Sequence, residues 1–393
     1  MTQNGKSSHN ISSLPKVACF GCAACESICP TDCITMQPDH EGFLYPIVDE
    51  DQCIACRKCI DVCPGFNQVT MAQPLPETRF FGGQILDESI RYRSSSGGLF
   101  SLVADHILGQ NGVVYGAVFQ PQDMRVVHAR AIDPDGLQTM RKSKYVQSDT
   151  TKIFPRVQQD LSTGRPVLFT GTPCQVAGLY LYLGQQPDNL FTCDIICHGV
   201  PSPGLFQNHF GDVEDRMDAP IHKIDFRTKE KGWGSFLNFY LAIETDHKKR
   251  LVYAPLDAYY ALFLANLSLR PVCYTCKYAT TPRTSDLTLG DFWGVQRQAP
   301  DLFDGKGTSL LLVNTTKGQR LVDATAPRTK LKMLSAVVPM PPNLVRPTPK
   351  PKSRDRFFET IDLRNWKTYR FRAHLTALFT IVKNKLRAVL QRL

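Results

Sequence analysis

Eight of the fourteen cysteines in this 393-residue chain fall into two runs of identical spacing. Cys19, Cys22, Cys25 and Cys29 are spaced C-x2-C-x2-C-x3-C and followed by Pro30; Cys53, Cys56, Cys59 and Cys63 repeat the pattern and are followed by Pro64. This is the spacing of thiolates around [4Fe–4S] cubanes, in which the fourth cysteine of each run reaches the other cluster. On that rule Cys19, Cys22, Cys25 and Cys63 hold one cluster, and Cys53, Cys56, Cys59 and Cys29 hold the other. The proline after each run fixes φ where the chain leaves the ligand loop. Zinc sites usually read as two C-x2-C pairs across a spacer, without a third cysteine three residues on. Disulfide frameworks belong to small secreted domains. The chemistry expected is therefore electron transfer. Cys33 falls outside the pattern and reads as a small buried apolar residue.

Residues 13–70 form the module that must position these thiolates, a two-cluster ferredoxin. Between the runs, EGFLYPIVDED has the apolar pattern of a short hairpin packed over the clusters. Residues 1–12 read as a polar, disordered lead-in. It has no apolar core segment, so neither a signal peptide nor a membrane anchor is expected there. The proline-bearing MAQPLPETR reads as a linker to a larger domain over 78–345. Residues 346–393 read as a proline-rich spacer followed by a helix.

The remaining composition is that of an ordinary globular protein, 42% hydrophobic and 21% charged. Abundant cysteine without a secretory signal points to a reducing cytoplasm. Net charge is +10, yet eight Lys or Arg and no acid lie between Arg364 and Leu393, so the rest is nearly balanced. No basic face with a nucleic-acid motif is evident, and no nucleic-acid partner is expected.

Three strand ends carry polar or thiol groups. RYRSSSGGLFSLVADHILG places three serines, Gly97 and Gly98 before an apolar-periodic helix, and VVYGAVF follows as a strand. A helix start of this kind can hold an anion or be capped by serine in the ordinary way. RKSKYVQSDT brings Lys144 and Tyr145 into a turn. VLFTGTPC is a strand running into a helix, the place where open α/β sheets bind ligands, and LFTCDIICHGVPSP ends a strand at Cys197, His198 and Gly199. These ends suggest one cleft. Cys193 reads as core. Cys174, Cys197 and the pair Cys273/Cys276 can together complete a four-cysteine site for a third cluster or for zinc.

The order SSSGG, SKYVQS, GTPCQVAGL, CHGVPSP, C-x2-C-K and GDFWG resembles the coenzyme F420 hydrogenase/dehydrogenase β-subunit family. More narrowly, it is similar to bacterial members fused to a two-cluster ferredoxin and associated with polysaccharide biosynthesis. The resemblance spans roughly residues 15–300. It implies an α+β chain in which the ferredoxin module joins a larger mixed α/β flavin-binding domain. It also implies FAD, with Gly97, Gly98, Lys144 and Tyr145 lining the flavin or substrate pocket. Cys174, Cys197, Cys273 and Cys276 become candidates for the domain's own [4Fe–4S] cluster. Relatives reduce diverse substrates, and no residue here marks a deazaflavin site.

The expected activity is an FAD/[4Fe–4S] oxidoreductase. An external donor such as ferredoxin or flavodoxin charges the clusters, and a small organic substrate is reduced in the cleft. Lys144 and His198 are the candidate catalytic groups, His198 as a proton donor or as a histidine satisfied by the structure. The alternative is an electron-transfer subunit with no substrate site of its own. From Phe371 the apolar positions 371, 375, 378, 379, 382, 386, 389, 390 and 393 make one stripe of a basic amphipathic helix. Such a helix either lies peripherally on the inner membrane surface or packs on its own domain or a partner subunit.

Overall fold

The computed structural model of the chain describes residues 9–233 and 239–390. The ferredoxin module carries the expected antiparallel hairpin, β1 (Ile34–Pro38) and β2 (Leu44–Val48). Its core gathers Ile11, Cys25, Cys33, Ile34, Cys59 and Cys63. Part of the expected lead-in is thus structural. Ile11 fills that core, and the Asn10 side chain accepts from Ser12 N–H and donates to Glu50. Residues 1–8 lie outside the described residues.

The remaining strands are β3 (Pro74–Ile85), β4 (Val113–Gln120), β5 (Arg125–Ala131), β6 (Val167–Gly171), β7 (Leu190–Ile195), β8 (Ile221–Asp225), β9 (Tyr240–Thr245), β10 (Lys249–Tyr253), β11 (Leu287–Asp291), β12 (Ser309–Thr315) and β13 (Thr329–Leu334). Eight of them form one sheet in the order β13-β3-β12-β11-β7-β6-β4-β5. Its middle, β4, β6, β7 and β11, is parallel, and the flanking pairs are antiparallel. The first residues of β4 and β6 are continuous apolar runs because helices cover them. Leu99–Gly109, Ile153–Ser162 and Pro173–Leu183 are three such helices. The long connection between β7 and β11 contains a second, antiparallel sheet, β10-β9-β8.

Two stretches expected to be connectors are not. The supposed linker at 71–79 enters β3 at Pro74. β13 pairs only with residues 80–85 of that strand, so Pro74 and Pro76 lie where one side of the strand is unpaired and a missing N–H is tolerated. The supposed C-terminal spacer is a strap. The Arg354 guanidinium makes a buried two-pronged ion pair with Glu41 of the ferredoxin module and donates to Leu269 O. Phe357 and Phe358 are buried beside it.

The ferredoxin module is sewn to the larger domain at many points. Thr150 Oγ1 donates to Cys22 O, Gln147 Nε2 to Phe20 O, and Gly204 N to Gly42 O. At that last contact a Cβ on Gly42 would stand 2.6 Å from Gly204 Cα, and Gly42 has φ +79°, so both space and backbone demand glycine.

Candidate electron-transfer and cofactor site

Cys29, Cys53, Cys56 and Cys59 ring one small cavity at the outer end of the ferredoxin module. Cys56 is exposed and its neighbour Ile54 largely so. Cys33 also lines this cavity, its Sγ 3.4 Å from that of Cys29. Burial pushes the Cys33 thiol up to about 11. The same burial opposes the Cys29 thiolate, but hydrogen bonds from Thr31 and Cys33 outweigh it and its pKa falls. The short helices that carry two of the ligand loops begin at Ala23 and Arg57, both in the left-handed region.

Cys19, Cys22, Cys25 and Cys63 are buried farther in. Burial raises the Cys22 and Cys25 pKa values, and neighbouring thiolates add to this: Cys63 and Cys19 act on Cys22, and Cys22, Cys19 and Cys63 on Cys25. Cys59 also acts on Cys25, so the two sets adjoin. Arg270, wholly buried, donates Nη2–H to Cys19 Sγ at 3.4 Å, Nε–H to Cys19 O at 2.7 Å and Nη1–H to Gln147 Oε1 at 3.0 Å.

Cys174, Cys197, Cys273 and Cys276 form a third set. Burial raises Cys197 well above its ordinary value, reinforced by Cys273, Cys174 and Cys276. Cys174 is pushed up to about 12 by burial, with Cys276 and Cys273 adding. Cys174 opens the helix after β6, Cys197 follows β7, and the C-x2-C pair precedes β11. These three strands are adjacent in the sheet. The third set touches the inner ferredoxin set: a Cβ on Gly178, in the Cys174 helix, would stand 3.0 Å from Cys22 Sγ. Phe20 and Tyr278 pack edge to face between them at 5.3 Å. Among the described residues no group of three or more His, Cys, Asp or Glu is placed to hold a single metal ion.

Cys197 also borders a cleft of about 1510 Å³ at the carboxyl ends of β6, β7 and β11. Its walls include Ser94–Ser96, Gly98, Lys142–Tyr145, Thr170–Thr172, His198, Arg227, Asp291 and Trp293. Residues 164–337 match the family model for the C terminus of the coenzyme F420 hydrogenase/dehydrogenase beta subunit, and residues 18–66 match the 4Fe-4S dicluster domain. Residues 164–337 are thus a C-terminal domain of the coenzyme F420 hydrogenase/dehydrogenase β-subunit type, preceded by a dicluster ferredoxin domain. The ferredoxin domain is N-terminal, and the chain is an iron–sulfur electron-transfer protein of oxidoreductase type. A search of curated proteins returns no match. Among solved structures, a chain of the F420-reducing [NiFe] hydrogenase complex from Methanosarcina barkeri aligns with 16% identity and a TM-score of 0.47. The alignment covers 81% of this chain and 92% of that one.

The cleft receives most of the residues singled out from sequence. Gly98 lies on its wall at the start of helix Leu99–Gly109, with φ +85° and no side-chain cap. Of the two readings of that turn, anion contact or serine capping, the serine cap is not made. Ser95 Oγ instead accepts from Ser143 N–H, and Ser96 Oγ donates to Thr308 O. Gly97 is not on the wall: its Cβ position lies 2.3 Å from Gly83 O and 2.7 Å from Ser309 N, so close packing on β3 and β12 explains it.

Lys144 is half-buried with its ammonium turned onto the carbonyls of Thr139 and Arg141, and desolvation lowers its pKa to about 7. Tyr145 stacks on Phe263 at 4.8 Å, and its hydroxyl accepts from Arg227. His198 Nε2 meets Asn266 Oδ1 at 2.6 Å and burial lowers its pKa, the signature of a histidine satisfied by the structure.

Several cleft residues had no local signal. Arg227 pairs with Asp291 at 2.7 Å and lies over Phe239 and Trp293. Burial works against its charge, but Asp291 and Tyr145 outweigh that and push its pKa up. Trp293 in turn stacks on Trp233 at 5.1 Å. The GDFWG motif carries Asp291 and Trp293 but did not announce their partner.

Proposed function

We propose that the chain is an iron–sulfur flavoprotein oxidoreductase acting on a small organic molecule in the cleft. The observation that carries this reading is the succession of three cysteine sets, from the exposed Cys56 end through Cys22 to Cys197 at the cleft wall. Cys53, Cys56, Cys59 and Cys29 would hold the outer [4Fe–4S] cluster, and Cys19, Cys22, Cys25 and Cys63 the inner one. Cys174, Cys197, Cys273 and Cys276 would hold a third. The donor, a ferredoxin or flavodoxin, docks at the outer end, where Cys56 and Ile54 face solvent.

The cleft fits FAD on three counts. Its volume exceeds that of ordinary single-ligand pockets, leaving room for a dinucleotide and a substrate together. The uncapped start of helix Leu99–Gly109 offers backbone N–H groups to a phosphate. Trp293, backed by Trp233, gives a flat apolar wall. When bound, clusters would supply single electrons and the flavin would supply two-electron or hydride chemistry. The protein's own residues orient and shield. Arg227 is fixed by Asp291, and Lys144, with a pKa of about 7, can take up a proton beside an anion. The polysaccharide setting implied by the family resemblance names the substrates to try first.

The test is iron, acid-labile sulfide and flavin content of protein purified without oxygen. Three clusters give about twelve irons per chain and two give about eight. Stoichiometric FAD is expected. Iron without flavin after reconstitution would overturn the enzyme reading in favour of an electron-transfer subunit.

A further inference from the structure

The helix Trp366–Leu390 has two faces. Trp366, Ala373 and Ala377 are buried against helices Ala258–Leu264 and Pro203–Met217. Arg370 pairs with Asp212 at 2.5 Å, Lys367 with Asp215 at 2.6 Å, and His374 meets Pro255 O at 2.9 Å. These contacts fix the helix in rotation. At about 100° per residue, Phe371, Leu375, Phe379 and Val382 fall within about 80° of arc on the other side. Each of the four is 51–71% exposed. Four stripe residues seen in the sequence are therefore turned outward, Leu378 is half-buried on the cleft wall, and the side chains at 386, 389, 390 and 393 lie outside the described residues.

We infer that this outer face docks the protein on an anionic lipid surface. Arg372 and Lys383 border the stripe, and the sequence from Arg364 to Leu393 has eight Lys or Arg and no acid. An anionic headgroup layer complements both the apolar stripe and its basic border. A second copy of the same face would oppose like charges. No helix among the described residues is long and apolar enough to cross a membrane, so the contact is peripheral. Phe379, Val382 and Lys383 also form part of the rim of the cleft. Docking thus sets that rim against the lipid. The inference stands apart from the cluster and flavin assignments.

The experiment is co-sedimentation of the full chain, purified without oxygen, with vesicles of phosphatidylcholine alone or mixed with phosphatidylglycerol. Binding is expected to the mixed vesicles, weakening with salt, and not to phosphatidylcholine. Phe371→Ser/Leu375→Ser, two exposed positions away from the cleft wall, is expected to lower it at least tenfold while iron content and circular dichroism stay unchanged. Absence of binding to the mixed vesicles, equal binding to both, or full binding by the double variant would each overturn the inference. So would a chain that ignores vesicles but self-associates through this face, shown by sedimentation equilibrium of both proteins.

Discussion

The two cysteine systems are built on opposite principles. The ferredoxin set lies within residues 19–63, and its ligand loops need little more than two tight turns and a hairpin to close. The set Cys174, Cys197, Cys273 and Cys276 spans a hundred residues of chain and exists only because β6, β7 and β11 are neighbours in the sheet. One is a property of local spacing; the other is a property of topology. A parallel sheet collects the loops at its carboxyl edge on one side, which is how distant thiols meet beside a cleft.

The sharpest way to break this comparison is to remove one thiol from each system. Cys59→Ser is expected to lower iron by about four per chain through loss of the outer cluster. Cys197→Ser is expected to remove a similar amount while leaving the electron paramagnetic resonance signals of both ferredoxin clusters in place. Unchanged iron in Cys197→Ser would mean that topology gathers four thiols there without a cluster.

A second, smaller effect tests whether the two systems are mechanically joined. Arg354 and Glu41 are buried and paired across the seam between strap and ferredoxin module. Arg354→Met leaves the Glu41 carboxylate without its partner, a loss of about 3–5 kcal/mol for a buried pair. Anoxic urea denaturation measures it. A change under about 1 kcal/mol, the range of surface pairs, would mean that the strap is incidental to the module's stability.

The seam also marks where sequence reading stops. Runs with a fixed period or a fixed ligand spacing were readable: the eight cysteines, the β1–β2 hairpin, the strand–turn–helix around Cys174 and the helix after Gly98. The strap was not, because prolines argue for a connector and nothing near Arg354 announces Glu41, more than three hundred residues away. Pro74 and Pro76 misled in the same way, since a strand tolerates proline wherever its neighbour is short. The C-terminal stripe was legible as a period, but not the choice of inward face. The small Ala373 and Ala377, not the large Phe371 and Phe379, face the protein, because alanines let two helices approach closely. Arg227 and Arg270 carried no signal at all, being single residues whose partners are distant.

Arg270 offers the finest test, since its side chain donates to Cys19 and its carbonyl accepts from Cys273 N–H. Its side chain is anchored by Cys19 O, Gln147 and Leu44 O, and it lies over the Tyr45 ring at 4.2 Å. A cationic N–H donated to a ligand sulfur favours the more reduced, more negative state of a cluster and so raises its potential. Arg270→Lys keeps the charge but gives up the planar fork that reaches Cys19 O, Cys19 Sγ and Leu44 O together. The midpoint potential of the inner cluster is therefore expected to fall, and to fall further in Arg270→Gln, which also removes the charge. The outer cluster has no contact with this residue and should hold its potential. A redox titration followed by electron paramagnetic resonance separates the two. Equal shifts in both clusters would assign Arg270 to the seam's architecture, whereas a shift confined to the inner one makes it the residue through which the larger domain sets the potential of its ferredoxin.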